Sequence, residues 1–271
     1  MKKEINLKNY NIWDLNNLCK EIRKEIISML CNAKSGHSAG PLGAVEQYVA
    51  LYFGGILKYD LDKVVVSNGH YAPLFYSVLA YAGYFDKALL KDLREFGSPL
   101  QGHPVRGELE GILTTSGPLG CGLSQAIGMA IASNLDKKEA QIYCMMSDGE
   151  QDEGNIWEAV MLAGKLKLEN LTAIIDRNNI QIDGFTENVM PLNSLKEKYA
   201  SFGWKVLEVK GHDMKNIIDA LVLAKKIYEK PVLIICNTIP GKGVSFMENK
   251  YMWHGKAPNL EEKEEALKEL N

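Results

Sequence analysis

The sequence has no long hydrophobic run, since no apolar stretch approaches the roughly 18 consecutive residues that a membrane-spanning helix needs. Its first residues, MKKEINLKNYNIWD, also lack the apolar segment of a secretory signal. We therefore expect a cytoplasmic protein without a membrane partner.

Cysteine and clustered positive charge are scarce as well. The five cysteines are odd in number and form no C-x-x-C pair, so we expect reduced thiols rather than a disulfide framework or a structural zinc site. The formal net charge is −3, and the basic residues are dispersed along the chain. This distribution gives no electrostatic footprint for nucleic acid.

The composition is that of a globular protein, because 46% of the 271 residues are hydrophobic and 24% are charged. Residues 14–30 have helical apolar spacing behind a possible cap at Asp14, and residues 42–54 and parts of 71–94 also look helical. KVVVSNGH (63–70) looks like a short strand that runs into a turn, and the charged tail 259–270 is expected to be a solvated helix. No linker or repeat interrupts the chain, so we expect one domain over residues 1–271.

From residue 123 onward, helical patterns alternate with short apolar runs. The runs are continuous rather than alternating, which is typical of parallel strands buried on both faces. The pattern therefore predicts a three-layer α/β/α fold with a mainly parallel sheet. The predicted helices are 123–133, 155–167, 194–202 and 213–228, and the predicted strands are 141–146, 171–176, 204–209 and 231–238.

Polar side chains follow two of these strands. The stretch SDGEQDEGNIWEAV (147–160) brings five carboxylates, of which Asp148 comes directly after one strand, and Asn178 follows the next strand 30 residues later. Ligands bind at the carboxyl ends of parallel strands, so the two side chains should converge there. Carboxylate and amide oxygens suit Mg²⁺. The alternative is that Asp and Asn simply form turns after the strands.

A Gly-rich loop, TTSGPLGCGLSQAIGMAIA (114–132), runs into a helix. Its glycines would let backbone N–H groups approach a diphosphate at the helix N-terminus. A dinucleotide-binding oxidoreductase is the alternative, but Gly120, Gly122 and Gly128 are spaced G-x-G-x5-G, and no clear strand precedes them. Both features argue against NAD binding.

Four of the histidines lie beside a glycine in predicted loops, where backbone and ligand can come close together. Such imidazoles could donate hydrogen bonds and transfer protons near neutral pH, although a lone loop histidine is more often structural. These four are His37, His70, His103 and His254. The fifth, His212, precedes a predicted helix and is interpreted as part of a turn with Asp213.

Together these stretches resemble a known family. SDGEQDEG followed by DRNNIQIDG looks like the thiamin diphosphate motif, a G-D-G followed about thirty residues later by an asparagine. KSGHSAGPLG, VSNGH, LQGHP, GPLGCG and GKGVSFMENKYMWHGKAP resemble stretches of transketolases in the same order, from about residue 20 to 265. The chain is similar to the N-terminal, diphosphate-binding subunit of a split, two-chain transketolase.

The resemblance implies a cofactor site for thiamin diphosphate and Mg²⁺, for which Ca²⁺ or Mn²⁺ could substitute. Metal ligands would be Asp148, Asn178 and the carbonyl of Ile180. The Gly117 to Gly122 segment would line the cofactor. The cofactor-binding residues implied in this way are His70, Gly117, Pro118, Leu119, Gly120, Gly149, Glu150 and Asn178.

The resemblance also implies a reaction, the transfer of a two-carbon ketol unit from a ketose phosphate to an aldose phosphate, as in the pentose phosphate pathway. His37, His103 and His254 would surround the reacting carbon and the substrate hydroxyls. Glu153 would join an acidic network between paired active sites. Two residues depart from the family pattern, since Ser147 replaces a glycine and Cys121 replaces a glutamine.

One required group is not matched in the chain. The glutamate that activates the aminopyrimidine belongs to the second domain of the family, so the resemblance implies a partner subunit with a pyrimidine-binding domain. Two copies of each chain are expected. The alternatives are a subunit of a 2-oxo-acid decarboxylase or dehydrogenase, which the several histidines disfavour, and a noncatalytic subunit that keeps the cofactor fold.

Overall fold

The computed structural model describes residues 10–271, in which a five-stranded sheet lies between two layers of helices. No helix that these residues form is long and apolar enough to cross a membrane. The helices are α1 (Ile12–Ala33), α2 (Ala39–Gly43), α3 (Val45–Phe53), α4 (Ala72–Tyr81), α5 (Cys121–Leu135), α6 (Gly154–Lys165), α7 (Thr186–Val189), α8 (Leu195–Ser201), α9 (Met214–Ala224) and α10 (Leu260–Glu269). The strands are β1 (Lys63–Val66), β2 (Ile142–Ser147), β3 (Leu171–Arg177), β4 (Ile180–Gln181), β5 (Gly184–Phe185), β6 (Lys205–Lys210) and β7 (Val232–Asn237).

The large sheet has the strand order β1-β2-β3-β7-β6, and all its neighbouring strands are parallel. Successive side chains along a strand point to opposite faces of the sheet and pack in two separate hydrophobic cores. In β2, Tyr143 and Met145 pack with α1, α3 and α4, whereas Cys144 and Met146 pack with α5 and α6. A strand buried on both faces has no polar face, which explains the continuous apolar runs. The predicted three-layer fold with a parallel sheet is confirmed.

The opening helix is present, but the prediction that Asp14 caps it is wrong. Asn11 is the N-cap, and its side chain accepts from the Asp14 backbone N over 3.0 Å. The Asp14 carboxylate in turn accepts from the Asn11 backbone N over 3.3 Å. The two residues form a capping box, in which the acidic residue occupies the third helical position.

Both upstream regions predicted to be helical contain helices, with bounds that the sequence did not define. The 42–54 helix begins earlier and breaks at Ala44, which separates α2 from α3. The break brings Gly43 against the chain at Ile239, where an added Cβ would lie 2.9 Å from the carbonyl oxygen. In 71–94, only α4 is an α-helix, and a 3₁₀ helix follows at Lys87–Asp92.

The charged C-terminal helix is present as α10, but the expectation that it is solvated is wrong for one of its faces. Ala266 and Leu270 are buried in the core that contains α1. Their i, i+4 spacing places both side chains on one stripe of an otherwise charged helix. All five cysteines are free thiols, as predicted.

Candidate functional site

The carboxyl ends of β2 and β3 lie side by side, as predicted. Ser147 pairs with Asp176 in the sheet register, so Asp148 and the segment after β3 meet just beyond the last pair. The fully buried Asp148 carboxylate accepts from the Gly149 backbone N over 2.8 Å and from the Asn179 backbone N over 2.7 Å. These contacts hold the carboxylate at the edge of the sheet.

Arg177 supplies a positive charge to this carboxylate and was not identified from the sequence. Its Nη1 donates to Asp148 Oδ2 over 3.0 Å, and its Nη2 donates to Glu187 Oε1 over 2.5 Å. Burial raises the pKa of Asp148 to about 7, although the Arg177 guanidinium acts in the opposite direction. The ion pair therefore offsets part of the cost of burying Asp148.

Asn178 is held by a buried carboxylate that the sequence reasoning also missed. Its Nδ2 donates to Asp176 Oδ2 over 2.7 Å and to the Tyr71 hydroxyl over 2.9 Å. This leaves Oδ1 on the other side of the amide, where it accepts from the Ile180 backbone N over 3.0 Å. Asp176 also accepts from Tyr71, Thr238 and Gln47, so its carboxylate is surrounded by donors.

The oxygens predicted to bind a cation are of the types that a hard divalent ion prefers. They are the Asp148 carboxylate, the Asn178 amide oxygen and the carbonyl of Ile180, a mixture that Mg²⁺ and Ca²⁺ accept. Within residues 10–271, no three His, Cys, Asp or Glu side chains are arranged to hold a metal by themselves. A set with a single carboxylate would complete its shell with phosphate oxygens and water.

The Gly-rich loop packs closely enough that two of its glycines are required. Gly120 has φ 80°, and a Cβ there would lie 2.0 Å from Asn155 Oδ1. A Cβ at Gly122 would lie 2.4 Å from Ser67 Cβ. Elsewhere in the loop, Pro118 is exposed and Leu119 is half-buried. The helix that follows, α5, begins at Cys121, so its free N–H groups face the loop.

Glu150 ties this loop to two strand ends. Its fully buried carboxylate accepts from the Gly120 backbone N over 2.7 Å, from the Ser147 backbone N over 3.2 Å and from the Ser67 hydroxyl. The Ser67 Oγ in turn accepts from the Gly122 backbone N over 3.0 Å. Burial raises the pKa of Glu150 to about 7, and the three donors oppose that rise. The structure thus places this predicted cofactor-binding residue beneath the loop.

Three of the predicted histidines form a cluster. The ring centroids of His37 and His70 are 5.0 Å apart, and each lies 5.4 Å from that of His254. Burial is the main cause that lowers the pKa of His37 and of His254 to about 4, and it also lowers the pKa of His70 well below its usual value. All three imidazoles are therefore neutral at pH 7.

Each ring in the cluster has one buried nitrogen without a hydrogen-bond partner among residues 10–271: His37 Nδ1, His70 Nε2 and His254 Nδ1. Buried polar atoms are normally paired, so three orphans in one cluster indicate a polar ligand.

The remaining predicted residues lie around this cluster or at the surface. His103 lies beside the Gly-rich loop, since a Cβ at Gly117 would be 3.7 Å from its ring. Gly149 faces Gln181, whose Oε1 would be 3.0 Å from an added Cβ. Glu153 is exposed at the N-terminus of α6.

His212 stands apart from the cluster and has a structural role. Its Nε2 accepts from the Ile239 backbone N over 2.8 Å, and its Nδ1 lies 3.2 Å from Glu46 Oε2. Asp213 is the N-cap of α9, which confirms the predicted turn at the start of that helix.

The sequence of residues 15–270 matches the family model described as transketolase, thiamine diphosphate binding domain. The chain is 41% identical over 256 residues to an apulose-4-phosphate transketolase subunit of Phocaeicola vulgatus, and the match covers 92% of this chain and 91% of the relative. It is 40% identical over 265 residues to the 6-deoxy-6-sulfo-D-fructose transketolase subunit SqwG of a Clostridium species, over 95% of this chain and 96% of the relative.

Full-length transketolases match over part of their length. The solved transketolase of Campylobacter jejuni has a TM-score of 0.87 and 33% sequence identity, and the match covers 96% of this chain and 43% of that chain. The Rhodobacter capsulatus transketolase is 39% identical over 255 residues, which are 88% of this chain and 38% of the relative. This chain therefore spans less than half the length of those two proteins.

Proposed function

Because the chain belongs to the transketolase thiamine diphosphate binding domain family, we propose that it is the diphosphate-binding subunit of a two-chain transketolase. The observation that carries the proposal is that three features meet at one edge of the sheet. They are the Gly-rich loop, the oxygen donors around Asp148, and a cluster of neutral histidines with unpartnered nitrogens. Both relatives described above that match over more than nine tenths of the two lengths are themselves named as subunits.

We assign the cofactor side of the site to the loop and the strand ends. The segment 117–122, Gly149 and His70 would hold the diphosphate, with the N–H groups at the start of α5 as donors. Asp148, Asn178 and the Ile180 carbonyl would hold Mg²⁺, for which Ca²⁺ or Mn²⁺ could substitute. When bound, thiamin diphosphate supplies the nucleophilic carbon and the electron sink for breaking and making the carbon–carbon bond.

The histidines would act on the substrate side. A neutral imidazole has one N–H donor and one bare nitrogen, so it can orient a sugar hydroxyl and also accept its proton. The pKa of His37 and of His254 is lowered to about 4, which keeps both rings able to accept a proton at pH 7. His103, beside Gly117, would contact the substrate from the loop.

A partner chain would complete the site. Large apolar side chains are exposed next to the cation donors and next to His254, and a partner would remove them from water. Ile182 and Met252 are each 63% exposed, and the Phe185 and Tyr251 rings contact each other at 5.6 Å. We propose that a pyrimidine-binding subunit covers this face. Two copies of each chain would assemble, with the exposed Glu153 in an acidic network between the paired sites.

The proposed substrates are a ketose phosphate donor and an aldose phosphate acceptor. The two relatives named as subunits carry the names of different sugars, so neither sugar is assigned to this chain. The test is to supply the complex of both chains with cofactor, Mg²⁺ and a panel of donors. Transfer of a two-carbon unit between sugar phosphates supports the proposal, whereas decarboxylation of a 2-oxo acid without such transfer contradicts it.

A further inference from the structure

Arg94 lies between two loops, each of which leads into a histidine of the site. Its Nη1 donates to Ser35 Oγ over 2.8 Å, two residues before His37. Its backbone N donates to the Leu100 carbonyl oxygen over 2.8 Å, three residues before His103. The residue therefore links the loop 34–37 to the loop 98–103 through both its side chain and its backbone.

The guanidinium also packs against the glycine that precedes each histidine. A Cβ at Gly102 would lie 2.9 Å from Arg94 Cζ, and a Cβ at Gly36 would lie 3.8 Å from Arg94 Nε. The planar group thus occupies space that a side chain at Gly102 would need. Arg94 itself has φ 62°, a left-handed conformation that is uncommon for residues other than glycine.

We propose that Arg94 is a positioning residue for the reaction. It joins the loops of His37 and His103 and holds one positive charge beside both imidazoles. This role in the reaction rests on the proposed function, because it requires that His37 and His103 act on the substrate. Their placement by Arg94 can be tested separately, because it is a property of the chain itself.

The electrostatics agree with this geometry. Burial is the largest cause that lowers the pKa of His103, and the Arg94 charge is the next. For His37, burial comes first, then the charges of His254, Arg94 and His103. A fixed guanidinium disfavours a second positive charge nearby, so Arg94 helps to keep both rings neutral. A lysine would keep the charge but lacks the planar fork that reaches Ser35 and covers Gly102 together.

The experiment compares Arg94→Met and Arg94→Lys with the parent, and uses Arg106→Met as the matched control. Arg106 is an exposed arginine that lines a separate cavity beside α5. Methionine and lysine carry the same left-handed backbone cost as arginine at position 94, so the variants differ in charge and reach. Histidine labelled with ¹³C gives one ring signal for each of the five histidines, and single His→Gln variants assign them.

Arg94→Met is expected to raise the titration midpoints of His37 and His103 by about 0.3 to 1 pH unit, the size of effect expected from one nearby charge at a partly exposed site. In the Arg106→Met control, the midpoints of His37 and His103 should stay within about 0.1 unit of those in the parent. In Arg94→Lys, the midpoints of His37 and His103 should stay close to those of the parent. With the partner present, kcat/KM should nevertheless fall at least about fivefold, a loss within the range that misplacement of a catalytic group produces.

Unchanged midpoints of His37 and His103 in Arg94→Met, or an equal shift in Arg106→Met, would overturn the assignment. Full kcat/KM in Arg94→Lys would overturn the positioning role. If the midpoints shift but no ketol transfer occurs even in the parent complex, the proposed function fails while the placement of the histidines by Arg94 stands.

Discussion

Arg177 donates from Nη1 to Oδ2 of Asp148 over 3.0 Å while its other nitrogen, Nη2, donates to Oε1 of Glu187 over 2.5 Å. The same Asp148 carboxylate is the only one in the proposed cation site. The Arg177 guanidinium and a divalent ion would therefore share one carboxylate, and the balance between them would set the metal affinity.

Asp148→Asn is expected to abolish Mg²⁺-dependent binding of thiamin diphosphate and to leave the chain folded. The amide has almost the shape of the carboxylate, but it removes the only anionic protein ligand. Calorimetric titration measures binding, and circular dichroism checks folding. The control is Asp152→Asn, which changes the charge equally at an exposed position. Binding by Asp148→Asn as tight as that of the parent would show that the cation site is misassigned.

At a pH well above the raised pKa of Asp148, where its carboxylate stays ionised, Arg177→Met is expected to tighten Mg²⁺ binding about 3- to 30-fold, because a positive charge in contact with the ligand carboxylate is removed. Glu187→Gln should have the opposite effect, since it leaves the Arg177 charge without its second partner. The measurement is the Mg²⁺ concentration that half-saturates cofactor binding. Weaker Mg²⁺ binding in Arg177→Met would mean that the guanidinium supports the cation site rather than competing with the ion.

Glu150→Gln is expected to lower the free energy of unfolding by about 1 to 3 kcal/mol, because the amide NH₂ would face groups that are themselves donors. It should also weaken cofactor binding, since the Gly120 and Ser67 contacts hold the loop. Urea unfolding and cofactor titration measure the two effects. Glu158→Gln, at an exposed position of α6, is the control. A variant as stable as the parent would contradict the supporting role of Glu150.

Acidification should destabilise the fold through His37 and His254. Burial lowers the pKa of each from 6.5 to about 4, so the unfolded chain binds more protons between those values. Their effect on stability is therefore absent above pH 6.5 and grows as the pH falls toward 4.

Between pH 7 and pH 5, the free energy of unfolding of the parent should fall by more than that of the double variant His37→Gln, His254→Gln. The difference should be on the order of 1 kcal/mol per histidine, after allowance for partial exposure. The raised pKa values of Asp148 and Glu150 act in the opposite direction, but they are common to both proteins and cancel in the difference. Equal losses in the two proteins would mean that the histidines are not held neutral by the fold.

The parallel sheet and the meeting of the two polar strand ends could be predicted because both follow from local patterns. Apolar runs separated by helical segments imply parallel strands, and parallel strands end at one edge. Asp148 and Asn178 could be located in this way from the sequence alone. The family resemblance then connected them with the glycines and histidines.

The supporting residues could not be found in this way because their partners are distant in sequence. Asp176 is the polar residue that ends an apolar run, yet its carboxylate accepts a hydrogen bond from Gln47, 129 residues away. The Glu150 carboxylate accepts from Ser67, 83 residues away. The family resemblance implies Glu150 as a cofactor-binding residue, but the local pattern is only that of one acid in an acidic cluster. Likewise, α10 has the pattern of a solvated charged helix, although Ala266 is buried in the core that contains α1. Long-range packing decides which charged residues are buried, and no local pattern encodes it.

The most direct test of the central claim is ketol transfer by the purified chain with thiamin diphosphate and Mg²⁺, with and without a subunit that carries the pyrimidine-binding domain. We expect no transfer by either chain alone, transfer by the two together, and loss of that transfer when Asp148→Asn replaces the parent. Full turnover by this chain alone, in a preparation free of the partner, would contradict it.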